Sequence, residues 1–83
     1  MATEMEEFKA WLIDYAGFSG ISAKDVVSRV RRASEMVNMD AKMDTEDLLH
    51  KMSKNAGFKD LSVSVRSQIR RAVKLYKEFD KRK

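Results

Sequence analysis

Apolar residues recur along this chain at helical spacing rather than at the two-residue alternation of strands. Met5, Phe8, Trp11, Leu12, Tyr15 and Ala16 fall on one stripe. Thr3-Glu4-Met5-Glu6 opens that stripe as a capping box, with Thr3 at the N-cap and Glu6 reaching back. Gly17 closes it as a glycine just past the helix end, and Phe18 is placed to fold back on the last turn. The first helix is therefore expected over residues 4–16, with Phe8, Trp11 and Tyr15 as core.

Ser22-Ala23-Lys24-Asp25 reads as a second box, with Asp in place of Glu. Behind it Val26, Val30, Ala33 and Val37 form a buried stripe, with Ala23 and Val27 at its edge, predicting a helix over 23–37. Asn38-Met39-Asp40 ends the pattern. Asp44-Thr45-Glu46-Asp47 starts a third helix over 45–56, its acids favourable at the positive end of the helix dipole. Leu48, Leu49, Met52 and Ala56 point inward from it. Ser62 caps a fourth helix over 63–79, carrying Val65, Ile69, Ala72, Val73, Tyr76 and Phe79. The tail Lys81-Arg82-Lys83 is expected to fray. The intervening links are short, so successive helices must turn back on one another. The fold class that follows is all-α, a compact four-helix bundle forming one domain over residues 1–83. Asn38–Met43 is the one link long and polar enough to be loose.

The chain echoes itself. Ala16-Gly17-Phe18 leading to Ser22 returns as Ala56-Gly57-Phe58 leading to Ser62, and Val30-Arg31-Arg32-Ala33 returns as Ile69-Arg70-Arg71-Ala72. Gly57-Phe58 is thus expected to repeat the helix-ending turn of Gly17-Phe18. Two similar helix pairs in one bundle would explain the echo, and so would convergence of capping chemistry.

Composition narrows the chemistry. There is no Cys, one His, no Pro and only three Gly in 83 residues. Disulfides, thiolate metal sites and cysteine nucleophiles are excluded, and so is a His-rich metal site. No apolar run approaches the ~20 residues of a membrane span, and no signal-peptide core is present. A cytoplasmic protein without membrane contact is the expectation. His50 falls on the polar side of the third helix with no partner set for catalysis. No triad, P-loop or dinucleotide turn occurs. We expect no enzyme activity, no cofactor and no metal. Met36 to Met43 could line an adaptable protein-binding surface, or pack beneath the loose link. Asp44-Thr45-Glu46-Asp47 lacks the glycine of a calcium loop and needs no cation as a cap.

Charge is unevenly spread. The net charge is +4, but residues 1–20 carry four acids and one base, whereas residues 59–83 carry nine bases and three acids. A helical wheel of about 100° per residue locates these charges. On the second helix Lys24, Ser28, Arg31 and Glu35 cluster opposite the core, with Arg32 and Arg29 further round. On the fourth, Arg66, Arg70, Lys74, Lys77 and Lys81 share an outward stripe with Ser67 beside it, and Glu78 and Arg71 further round. A solvated face usually interleaves Glu and Lys at i, i+4, and this stripe does not. Uncompensated cations with a nearby hydroxyl suit backbone phosphates. The candidate DNA-binding residues are Lys24, Ser28, Arg31, Arg32, Arg66, Ser67, Arg70, Lys74 and Lys77.

The order of these signals resembles the N-terminal core-binding (SAM-like) domain of tyrosine recombinases, the phage integrase family. Phe8-Lys9-Ala10-Trp11-Leu12 is similar to that family's "F..WL" first helix. Gly20-Ile21-Ser22 through Val30-Arg31-Arg32 is similar to its "GLS..T...Y...L" segment. Leu61-Ser62 through Ile69-Arg70-Arg71-Ala72-Val73 to Tyr76 and Phe79 is similar to its "S..T....LSALR.FY.F" ending. The resemblance implies a four-helix domain lying over duplex DNA with its second and fourth helices toward the major groove. The family's catalytic domain is missing, and Val27-Ser28 stand where the family often has a tyrosine. The chain is then a fragment of a recombinase or a stand-alone descendant that binds without cutting. The expected partner is double-stranded DNA, with a recombinase catalytic domain or another protein as a further partner, and the free chain is expected to be a monomer. The alternative is a small protein-interaction module, phage- or mobile-element-encoded, that binds an acidic protein surface.

Overall fold

Serine, aspartate and asparagine side chains set most of the helix starts in the computed structural model. It describes residues 2–37 and 43–82, with side chains from residue 5 onward. Five helices follow one another: α1 (Ala2–Asp14), α2 (Gly20–Met36), α3 (Thr45–Ser53), α4 (Ala56–Lys59) and α5 (Val63–Lys81). No strand occurs among the described residues. Four helices were expected. The additional one is the short α4.

Ser62 caps α5 as expected, its hydroxyl accepting from the Val65 N–H at 3.2 Å. Asp44 caps α3, its carboxylate accepting from the Thr45 N–H at 3.0 Å. The start of α2 differs. Ser19, not Ser22, is the N-cap, and its hydroxyl accepts from the Ser22 N–H at 3.2 Å. Two serines three residues apart compete for that role, and the upstream one gains an extra turn of helix beginning at Gly20. The backbone of α1 is already helical at Ala2, so Thr3 lies inside the helix. The side chains of Thr3 and Glu4 in the expected capping box, residues 38–42 of the loose link and Lys83 of the tail lie outside the description.

The end of α1 follows the expectation in function and departs from it in detail. Gly17 takes φ of +77°, the left-handed region that glycine enters without a Cβ clash. The Phe18 N–H reaches the Leu12 carbonyl at 2.9 Å, one residue further back than the usual closing bond. Phe18 packs against the core from there.

Two clusters of buried side chains lie along α2 and α5, which run through both. One joins Phe8 and Leu12 of α1 to Val26, Val27 and Val30 of α2 and to Ala72, Tyr76 and Phe79 of α5. Phe8 meets Tyr76 edge-on at 5.2 Å and Phe79 at 5.3 Å between ring centroids. The other joins Ala33 of α2 to Leu48 and Met52 of α3, Phe58 of α4 and Ile69 and Val73 of α5. Burial of such apolar side chains contributes about 1.5–3 kcal/mol each. Trp11 is half-buried, and Tyr15 is exposed rather than core. Tyr15 lies beyond the end of α1, so helical spacing no longer decides where it points. Ala56 is likewise exposed, because it opens α4 and does not continue α3.

Candidate nucleic-acid interface

The width of the buried face on α5 decides which of its cations reach solvent. α5 is packed by α1 and α2 through the first cluster and by α3 and α4 through the second. A helix covered from two sides buries more than the single stripe that periodicity anticipates. Lys77, expected on the open stripe, is therefore only 4% exposed. It sits on the wheel between buried Val73 and the outward lysines. Arg66 and Arg70, on the same flank, are half-buried. The Arg66 Nε is buried without a hydrogen-bond partner. The Arg70 guanidinium lies 5.4 Å from the centroid of the Phe58 ring of α4, a cation–π contact.

The remaining expected residues are open to solvent: Lys24, Ser28, Arg31 and Arg32 on α2, and Ser67 and Lys74 on α5. Lys81 and Arg71, beside them on α5, are exposed as well. Among the described residues none of these cations makes an ion pair, and the pair seen on α5 is Arg82 with Glu78 at 3.4 Å. The expectation that the stripe would carry no carboxylate partner thus holds for Lys74 and Lys81. Glu78 nonetheless shares a depression with them, with Thr45 and Arg82 on its walls.

The two expected sets do not meet in one groove. Arg70, Lys74 and Lys81 line an open groove of about 810 Å3 between α3 and α5, opposite Asp44, Glu46 and His50. None of Lys24, Ser28, Arg31 or Arg32 lines it. The groove that α2 and α5 do share is lined by Ser22, Asp25 and Arg29 on one side and Gln68, Arg71 and Ala72 on the other, with Phe18 and Val26 beneath. Arg29 and Arg71 are thus the cations that the packing brings together, and the wheel had left both at the margin. The signal that could have found them is the Ser22-Asp25-Arg29 spacing facing Gln68-Arg71-Ala72, where small Ala72 lets two helices approach.

No group of three or more His, Asp or Glu side chains able to hold a metal occurs among the described residues. No described helix is long and apolar enough to cross a membrane. No protein-family model, curated protein or solved structure matches this chain.

Proposed function

We propose that the chain is a non-catalytic module that binds duplex DNA through the exposed cations of α2 and α5. The observation that carries this reading is that Lys24, Arg31, Arg32, Arg71, Lys74 and Lys81 are exposed and have no carboxylate partner among the described residues. On α5, Lys74 lies four residues from Arg70 and three from Arg71, spacings at which like charges repel, and a polyanion offsets that repulsion while releasing its own counterions. Arg70 contributes from the groove wall, and base selectivity would come from Arg31 and Arg70. Lys77 drops out, because a buried ammonium cannot reach a phosphate.

The likeness to the core-binding domain of tyrosine recombinases supports the same reading. In that likeness α3 and α4 together stand for one helical unit, so that α1, α2, α3–α4 and α5 make a SAM-like four-unit bundle. A cytoplasmic, monomeric free protein goes with it.

Duplex binding measured across a series of salt concentrations tests the proposal. Replacing Arg70, Lys74 and Lys81 together with Ala should flatten the slope of log affinity against log salt by roughly three units. An unchanged slope rejects this face. Retention of a stoichiometric acidic protein after nuclease treatment, without duplex retention, would replace the reading with protein interaction.

A further inference from the structure

The groove between α2 and α5 holds two guanidinium groups, Arg29 and Arg71, one on each wall. Arg29 is half-buried and Arg71 exposed. Neither makes a hydrogen bond or an ion pair among the described residues. Asp25 lies on the same wall four residues before Arg29, a spacing that allows an ion pair on a helix. No such pair is formed. Each guanidinium therefore keeps its five N–H donors unused, and for half-buried Arg29 this leaves part of its desolvation uncompensated. Ser22 and Gln68 supply neutral polar groups on opposite walls, and Val26, Ala72 and Phe18 supply an apolar floor. The groove volume of about 410 Å3 falls within the ~300–1,000 Å3 typical of small-molecule sites. With Asp25 counted, one net positive charge remains.

We propose that this groove is a phosphate site, in which Arg29 and Arg71 grip one phosphoryl group from two sides. Arginine suits this task, because its planar fork matches phosphate oxygens two at a time. Gln68 and Ser22 complete the donor set. Asp25, lining the same groove, penalises any second negative charge brought there. A backbone phosphodiester, with one charge, therefore fits better than a free phosphate with two. For that source the inference rests on the duplex-DNA reading above.

The test compares the parent chain with a variant carrying Arg29→Gln and Arg71→Gln, both folded by circular dichroism and amide dispersion. The first arm titrates inorganic phosphate at constant ionic strength and follows the arginine Nε–H and the Ser22 and Gln68 signals by NMR. The second measures the salt slope of duplex binding. The inference expects a duplex slope lower by about one unit in the variant, since one phosphate is lost, with at most weak saturation by inorganic phosphate that the variant loses. Saturation by inorganic phosphate without any duplex binding keeps the phosphate site, assigns it to a free ligand and removes the DNA reading. Unsaturating shifts that persist in the variant, together with an unchanged duplex slope, overturn the site and leave the DNA reading standing. Absence of both phosphate saturation and duplex binding overturns both.

Discussion

Ala16-Gly17-Phe18 and Ala56-Gly57-Phe58 are the same three residues in two different conformations. In the first, Gly17 is a left-handed turn residue that ends α1. In the second, Gly57 is inside a helix, and Ala56–Lys59 winds one turn of its own. The difference comes from the residue before each triplet. Tyr15 has no side-chain acceptor that suits an N-cap. Asn55 has one, and its Oδ1 accepts from the Phe58 N–H at 3.2 Å. Its Nδ2 also donates to the Met36 carbonyl at the end of α2, at 3.0 Å. One amide thus starts a helix and ties it to another. Identical tripeptides follow the cap available to them and not their own propensity.

Substitutions can break this contrast in order of expected effect. Phe58 is 1% exposed in the second cluster, so Phe58→Ala should cost about 3–5 kcal/mol. Phe18 is half-buried at the rim of the first cluster, and Phe18→Ala should cost about 1–2 kcal/mol. Urea denaturation of both variants compares them, and equal losses would erase the distinction between core and rim. Between these two losses falls Asn55→Ala, which removes a cap and an interhelical bond and should cost about 2 kcal/mol. Asn55→Asp retains the cap acceptor but not the donor to Met36, and should fall between the parent and the alanine variant.

Glycine substitutions should differ in the same sense. Gly17→Ala forces a Cβ into positive φ although nothing crowds the position, and should cost about 1–2 kcal/mol. At Gly57 a Cβ would meet the Asn55 Oδ1 at 3.1 Å. The helical gain of alanine over glycine, about 1 kcal/mol, opposes that crowding, so Gly57→Ala should change stability little. A thermal midpoint lowered as much as in Gly17→Ala would show that both glycines serve turns. The smallest effect concerns two lysines three residues apart on α5. Lys74→Met should lower the salt slope of duplex binding by about 0.9 units, whereas Lys77→Met, at a buried position, should leave it unchanged.

What could be read from sequence divides along the range of the forces involved. Gly17, Asp44 and Ser62 were legible because capping is settled within a few residues. Ser19 was missed because Ser22 offered an equivalent hydroxyl with an acid three residues on, and local chemistry alone does not rank them. Asn55 was missed because the echo with Gly17-Phe18 drew the end of α3 past it. Lys77, Arg66 and Arg70 fell on the right flank of α5 by periodicity. Their burial depends on tertiary packing against that flank, for Arg70 by Phe58 of α4, which has no local signature. Arg29 and Arg71 were set aside for the converse reason, since only the crossing of α2 and α5 makes them neighbours.

The Asn55 amide also implies an expected order of events in folding. A four-residue helix is far below the length that sustains itself in water, about 12–15 residues. Its anchor on Met36 spans nineteen positions of chain, so α4 winds only after the end of α2 is in place. It is expected to act as a latch that closes last and opens first. In a chevron plot Asn55→Ala should accelerate unfolding and leave the refolding limb where it was. A slowed refolding limb would instead make this smallest element part of the nucleus.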